Sequence, residues 1–174
     1  LGYRTVDVRG QYLLQPTDGS KLVFGGSYRY NHMDFDILDH KRDMHDAAAF
    51  VQGEVSIFRT LSLTLGLRYD HYQTTGSHLS YRASLVYPFL QDHSLRLSYG
   101  NAFRNPSYIE SYMYLQAPLF LGLSLTTQGN QNLSAEGLHA VELGYQGFYF
   151  EDRARLQFVM FYDRYKDFIQ ATVL

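Results

Sequence analysis

A stretch rich in histidine and aspartate, residues 31–46, carries the side chains best suited to bind a metal ion. His32, His40 and His45 alternate with Asp36 and four further aspartates. Imidazole together with carboxylate suits zinc, copper, nickel or iron. The spacing predicts either a surface that captures a metal or a metal chelate, or a solvated polar loop without a ligand. Both interpretations stay open at this point.

A second group of candidates is aromatic and lies in the long connection at residues 105–138. An apolar segment that is exposed usually marks a contact surface. We expect these rings either to contact a bound substrate or to pack on neighbouring loops. The four candidates are Tyr108, Tyr112, Tyr114 and Phe120.

The composition excludes several classes of function. The chain of 174 residues has no cysteine, so disulfides, thiolate zinc sites and cysteine nucleophiles are absent. With 15 basic and 17 acidic residues the net charge is −2, which argues against a nucleic-acid partner. Serine and histidine occur without a nucleophile-elbow pattern, so the sequence does not predict an enzyme.

Alternation of apolar and polar residues predicts the elements that position these side chains. Such alternation is typical of strands whose two faces meet different surroundings. The turns between the segments are short, so an all-β, antiparallel fold is predicted. The eight segments are residues 3–14, 21–31, 49–58, 61–70, 79–87, 95–100, 141–149 and 155–163.

Three features favour the wall of a membrane barrel over a soluble sheet. From Val6 onward the apolar faces of the segments carry no charged residue, and tyrosines lie on these faces near both strand ends. Connections alternate between short (15–20, 59–60, 88–93, 151–152) and long (32–46, 73–78, 105–138). Transmembrane barrels combine an apolar outer band, two aromatic girdles, short periplasmic turns and longer external loops. We therefore assign the long connections to the external side.

The polar face, which would point into the lumen of such a barrel, carries both signs of charge. Three arginines on adjacent strands suggest a basic ladder that faces another domain, whereas ion pairs between strands are the competing interpretation. The candidate lumen residues are Arg68, Arg82, Arg96, Glu54, Asp70 and Glu142.

Five short motifs follow one another along the chain. They are Gly66-Leu67-Arg68-Tyr69-Asp70, Phe103-Arg104-Asn105-Pro106-Ser107 with Glu110, Gly129-Asn130-Gln131-Asn132-Leu133-Ser134-Ala135-Glu136, Glu142-Leu143-Gly144-Tyr145, and the run from Phe161 to Ile169. Their order is the one found in TonB-dependent outer-membrane receptors, which this chain resembles. Asn105 replaces an alanine of the family pattern and Gln131 a proline. Residues 107–128 lack the histidine that is typical of haem receptors, which argues against haem.

The resemblance implies a barrel of about 22 strands whose lumen is filled by a plug. Residues 1–174 would then be part of that barrel, with the plug domain and the remaining strands absent from this sequence. It further implies a place in the outer membrane of a Gram-negative bacterium and outer-membrane lipid as a partner. The TonB complex would supply energy for uptake of a scarce nutrient, above all an iron–siderophore or another metal chelate. No resident cofactor is expected, since the chelate would be substrate.

Two other functions compete with this one. A self-contained eight-stranded barrel of structural or adhesive role is an allowed closed size. It would need bulky interior side chains, whereas the polar face is rich in glycine and serine. A soluble β-sandwich that serves as a binding module is the third possibility.

Overall fold

A computed structural model describes residues 2–34, 41–58, 60–118 and 124–170. Within these ranges the chain is almost entirely β-structure with one short helix. The long strands are β1 (Gly2–Thr17), β2 (Ser20–Asp34), β3 (Arg42–Ile57), β4 (Leu61–Tyr72), β5 (Gly76–Leu90), β6 (His93–Arg104), β9 (Glu136–Tyr149) and β10 (Ala154–Lys166); between β6 and β9 lie α1 (Tyr108–Tyr112), β7 (Tyr114–Pro118) and β8 (Ser124–Gln128).

The eight long strands form one antiparallel sheet in the order β1-β2-β3-β4-β5-β6-β9-β10. The predicted all-β, antiparallel fold is therefore confirmed. Along the described residues β1 and β10 are the two edges and do not pair with each other, so the sheet is open. A self-contained eight-stranded barrel would require that pairing, and the open sheet instead corresponds to part of a wider wall.

The strands are longer than the alternation predicts, and two of the long connections are correspondingly shorter. The segment 32–46 was expected to be a loop, but β2 continues to Asp34 and β3 begins at Arg42, so His32 and His45 lie on strands. His40 and Asp36 lie outside the described residues. In a membrane barrel a strand that continues beyond the aromatic band no longer faces hydrocarbon. Here the face that is apolar in the middle of β2 and β3 ends in His32, Asp34, Asp43 and His45, while Met33 and Met44 lie on the opposite face.

The connection between β6 and β9 is also more structured than predicted. It contains α1 and a small hairpin of β7 and β8, in which Leu115 pairs with Thr127. Ser107 begins the helix as a capping box, since its hydroxyl accepts from the Glu110 amide while the Glu110 carboxylate accepts from the Ser107 amide. No described helix combines the length and the apolar run that a membrane crossing needs.

The two faces of the sheet have different environments, and the sheet has almost no core of its own. The only buried hydrophobic side chains among the described residues are Met33 and Met44. Leu65 on β4 and Phe158 on β10 are 52% and 56% exposed, as are most apolar residues of their face. A soluble sandwich would cover this face with a second sheet, but the only other described sheet is the β7–β8 hairpin.

Aromatic side chains form a band near each end of the apolar face. At the end with long connections the rings of Tyr81 and Tyr99 lie 5.9 Å apart, with their hydroxyls 3.3 Å apart. At the end with short turns Tyr12 contacts Phe24 at 5.8 Å. Such paired bands are the arrangement of the two interfacial girdles of a membrane barrel.

Candidate functional site

The polar face of β1–β4 holds a hollow lined by charged side chains. Asp7 Oδ2 accepts from Arg29 Nη2 at 2.6 Å, and Asp7 Oδ1 from Arg9 Nε at 2.9 Å. Asp70 is 2% exposed and accepts from Arg68 Nη2 at 2.7 Å. The hollow measures about 460 Å³, enough for a small ligand or several side chains of another domain. Its charges are mixed and largely paired, so it would accept polar groups of either sign.

The three arginines of the proposed basic ladder do lie on adjacent strands, but each has its own polar partner. Arg68 is held by Asp70, Arg82 donates to Gln52, and Arg96 Nη2 donates to Glu142 Oε2 at 3.1 Å. Only the contact between Arg96 and Glu142 is an ion pair between neighbouring strands, as the competing interpretation expects; Arg68 pairs within its own strand, and Arg82 bonds a neutral side chain. Glu54, the sixth candidate, pairs in register with Lys21 near the end with short turns.

Gly66 leaves room for the Arg82 side chain, which crosses β4 to reach Gln52. A Cβ built on Gly66 would approach Arg82 Cγ to 3.1 Å, whereas one on Gly144 would lie 3.7 Å from Arg96 Nε, an ordinary contact. The small residues of the polar face are therefore covered by arginine stems from the next strand.

Helix α1 packs on the polar face of β1–β3. Asn31, which is 3% exposed, donates from Nδ2 to the Tyr108 hydroxyl at 3.2 Å and accepts at Oδ1 from Thr5 at 2.8 Å. The Arg42 guanidinium lies 4.5 Å from the centre of the Tyr112 ring, a cation–π contact. Burial raises the pKa of the Tyr108 phenol to about 12, so it is neutral at physiological pH.

These contacts locate the four aromatic candidates. Tyr108 and Tyr112 touch strands of the sheet, which agrees with packing on neighbouring elements rather than with free substrate-contacting rings. Tyr114, on β7, is 47% exposed and available for contact. Phe120 lies outside the described residues.

Arg104 joins three parts of the chain that are distant in sequence. Its guanidinium donates to both Glu110 oxygens at 3.1 Å and through Nε to Glu136 Oε2 at 2.5 Å. The other Glu136 oxygen accepts from the Ile169 amide at 2.7 Å. The Arg104 guanidinium holds the pKa of the Glu110 carboxyl at about 2, well below its usual range.

Backbone hydrogen bonds close the same network. The Asn130 amide donates to the Glu110 carbonyl at 2.9 Å, and the Gly129 amide to the Met113 carbonyl at 2.8 Å. The motifs around Arg104, Asn130 and Glu136, read from the sequence as separate pieces, thus converge beside α1. The sequence alone did not assign these motifs to one site. A signal was present, because Arg104 stands at the start of the connection between β6 and β9 and Glu136 stands at its end.

A ring cluster near this network was also missed by the sequence analysis. His78 stacks on Phe103 with centroids 4.5 Å apart, and Tyr72 meets Phe103 edge-on at 5.9 Å. His78 Nε2 and the Thr75 hydroxyl lie 3.0 Å apart, and that hydroxyl donates to Asn105 Oδ1. Asn105, the departure from the family alanine, therefore ties the start of the β6–β9 connection to the turn between β4 and β5.

His32 and His45 are already engaged by neighbours on β2 and β3. His32 Nδ1 lies 2.7 Å from Asp43 Oδ1, and His45 Nδ1 lies 2.6 Å from the Tyr28 hydroxyl. In the described ranges no three histidine, aspartate or glutamate side chains are grouped for a metal ion. A metal site in this stretch thus stays a prediction that also depends on His40 and Asp36, outside the described residues.

The comparisons with known proteins agree with this architecture. The family described as "TonB dependent receptor-like, beta-barrel" matches residues 2–174. The vitamin B12 transporter BtuB of Vibrio cholerae is 28% identical over 111 residues, which are 64% of this chain and 16% of that protein. This chain therefore spans less than a fifth of the curated relatives that it matches.

Solved structures of larger receptors contain the same sheet. The siderophore receptor PirA from Pseudomonas aeruginosa superposes with a TM-score of 0.83 at 19% identity, over 94% of this chain and 32% of that chain. PirA from Acinetobacter baumannii gives a TM-score of 0.80 at 18% identity, over 94% and 27%. A variant of the ferric enterobactin receptor PfeA from Pseudomonas aeruginosa gives 0.81 at 18% identity, with the same coverage. At such identities the likeness is one of fold.

Proposed function

The chain belongs to the TonB-dependent receptor family, within its β-barrel part, and from this we propose that the whole protein is an outer-membrane receptor that imports a scarce nutrient. We propose an iron–siderophore or another metal chelate as its substrate. This family is one of receptors and transporters rather than of enzymes.

The observation that carries the proposal is the open eight-stranded sheet with two different faces. One face is apolar, uncovered and bordered by two aromatic bands, which suits hydrocarbon between two polar interfaces. The other face carries paired charges and an inward-packed helix, which suits a wet or domain-filled lumen. An adhesive eight-stranded barrel is a poorer account because β1 and β10 remain unpaired within the described chain.

In the proposed protein this chain is a section of the wall, and other parts of the polypeptide complete the lumen. A plug domain would contact the polar face, where the hollow of Asp7, Arg29 and Asp70 offers groups of both signs. Substrate would bind at the end with long connections, near the exposed Tyr114, and TonB would act on the plug from the opposite side. Outer-membrane lipid would cover the apolar face.

The substrate proposal rests on the neighbours. The solved structures are named as siderophore and ferric enterobactin receptors, whereas the curated relative is named as a vitamin B12 transporter. Vitamin B12 is therefore the second candidate, favoured by the sequence match.

Uptake by the whole receptor tests both the class and the substrate. A strain that lacks the gene should lose uptake of the iron-loaded siderophore and regain it when the gene is restored. Regain should require a functional TonB and proton motive force. Uptake of labelled vitamin B12 in the same strains separates the two candidates. Uptake that continues without TonB would contradict the receptor proposal, whereas TonB-dependent uptake of vitamin B12 alone would contradict only the siderophore.

A further inference from the structure

The connection between β6 and β9 is a hydrogen-bonded body of its own. It leaves the sheet after Arg104 and returns at Glu136, and these two residues are direct partners in the ladder. Inside the connection, the β7–β8 ladder and two backbone hydrogen bonds between the segment after β8 and the region of α1 join its parts. We call its described parts, residues 105–118 and 124–135, the flap.

Side chains hold the flap against the sheet. Helix α1 meets β2 and β3 through Tyr108 and Tyr112, and at the start of the flap Asn105 Oδ1 accepts from the Thr75 hydroxyl at 2.8 Å. Within the described ranges no backbone-to-backbone hydrogen bond joins the flap to β1–β5. A body that is bonded inside by its backbone and outside by side chains can move as a unit, because local opening breaks the weakest set of contacts first.

The wall is also sealed by side chains beside the base of the flap. The β5–β6 ladder ends at Arg82 and Gly100, whereas β6 stays paired with β9 to its end. Beyond Gly100 the Asn101 side chain replaces the ladder, since its Oδ1 accepts from the Tyr81 amide at 2.7 Å and its Nδ2 donates to the Leu79 carbonyl at 3.0 Å. The end of β6, which carries the flap, can therefore shift relative to β5 without breaking backbone bonds between the two strands.

The flap borders the charged hollow at the end with long connections. Tyr72 lines that hollow and meets Phe103, two residues before the flap. Asn31, to which the helix is bonded, follows the lining residue Arg29 by two positions on the same face of β2. A group that approaches the hollow from this end of the sheet would pass the flap first.

We propose that the flap is a gate for the hollow and that the bond between Thr75 and Asn105 is the clasp that holds the gate closed. Opening breaks the clasp and moves α1 away from β1–β3, while the ladder pair of Arg104 and Glu136 stays intact as the hinge. Asn105 stands where the family pattern has alanine, whose side chain has no acceptor, so the clasp is a property of this chain. The gate rests on the proposed function only for the end from which substrate arrives.

Thiol labelling of the hollow in the purified whole receptor tests the gate without any substrate. In a cysteine-free background Ser27→Cys places one thiol among the lining residues. A water-soluble maleimide should label it several-fold faster when Asn105→Ala or Thr75→Val removes the clasp, because the flap is then open for more of the time. The double variant should be labelled no faster than the faster single variant, since both changes remove the same bond. Asn132→Ala is the matched control, because it removes an amide side chain from the flap outside the clasp.

A reversible bridge tests whether the gate must open for uptake. In T75C/N105C a short bis-methanethiosulfonate reagent links the flap to the turn between β4 and β5. Uptake by cells should fall at least about tenfold, because a blocked opening step limits every later one, and it should return when a reductant cleaves the bridge. L115C/T127C, bridged across β7 and β8, is the control and should transport like wild type.

The outcomes separate the gate from the proposed function. Equal labelling of Ser27→Cys with and without the clasp would overturn the gate, as would uptake that continues through bridged T75C/N105C. Equally fast labelling in Asn132→Ala would show general loosening and would overturn the clasp. Heat-modifiable migration first shows that each variant is folded. Absence of uptake by the wild type would count against the proposed function, and the labelling rates would still decide the gate.

Discussion

Arg104 is the residue at which the separate sequence motifs become one structure. It lies at the end of β6, contacts the helix through Glu110 and the start of β9 through Glu136, and through Glu136 reaches the segment after β10. Charge-assisted bonds of this kind are the strong ones. The motifs predicted that these residues belong together in the family, but spacing along the chain did not indicate that residues 105–135 fold back to close the network.

Replacing Arg104 should loosen the β6–β9 connection without unfolding the sheet. In Arg104→Gln both carboxylates lose their shared cation, and we expect limited proteolysis within residues 105–135 to be several-fold faster, as for a segment of lowered local stability. Arg104→Lys should give an intermediate rate because lysine cannot serve two carboxylates with a planar fork. Arg153→Gln should cleave like wild type; equal rates in all four proteins would contradict the role of Arg104.

The Glu110 carboxyl makes the same contact dependent on pH. Its pKa is about 2 in the folded chain, against an ordinary 4.5. The stabilisation is therefore complete above about pH 4.5 and is lost as pH falls towards 2. A spin label at Ile109→Cys, which is an exposed position, should gain mobility over that range. In Glu110→Gln the label should be mobile already at pH 7 and show no transition there; a transition that persists in this variant would assign it to another group.

Tyr108 ties the helix to the wall through a buried amide. In Tyr108→Phe the Asn31 amide loses its acceptor, and the free energy of unfolding should fall by about 1 kcal/mol. Tyr114→Phe is the matched control, because Tyr114 is exposed on β7. Denaturant unfolding of the whole receptor in lipid vesicles gives both values. Equal stability of the two variants would show that the hydrogen bond to Asn31 contributes nothing.

At the scale of the elements, the sequence predicted all eight long strands and their two faces. Period-two alternation is strong wherever one face meets an apolar phase, as in Leu61 to Tyr69 of β4. It failed at the strand ends beside the long connections, where His32 and His45 continue the otherwise apolar face and Met33 and Met44 lie on the otherwise polar face. It also missed α1, which is too short for a helical period to show and is recognisable only from its cap at Ser107.

A charged residue on the apolar face should destabilise the protein much more than one at the same depth on the polar face. Leu65 and Thr64 are adjacent on β4 and point to opposite faces. Leu65→Arg places a guanidinium about midway between the aromatic bands and should lower the free energy of unfolding in lipid vesicles by about 2–4 kcal/mol. Thr64→Arg should cost far less, since Glu54 is its direct neighbour on β3. Similar losses of unfolding free energy in the two variants would contradict the assignment of the apolar face to lipid and of the polar face to the lumen.

At the scale of the whole molecule, the sheet has no interior to stabilise it alone. Among the described residues only Met33 on β2 and Met44 on β3 are buried and hydrophobic, and α1 packs on these two strands. In the proposed receptor, lipid on one face and the rest of the receptor on the other would supply the stabilising burial. The need for such outside contacts could be predicted from the sequence in outline, because the glycine- and serine-rich polar face cannot fill the interior of a small barrel. The occupant of the lumen could not, because paired charges of both signs on the polar face do not specify one partner.

The orientation of the wall is the final property that can be tested. Short turns lie at one end, as at residues 91–92, and long connections at the other, as at 105–135. In the proposed receptor this predicts that Gln131 lies outside the cell and Arg153 in the periplasm. The chain has no cysteine, so Gln131→Cys and Arg153→Cys each give one reactive thiol. In intact cells a membrane-impermeant maleimide should label the first and not the second, and both after permeabilisation. Labelling of position 153 alone in intact cells would show that the end with short turns, and not the end with long connections, faces the outside.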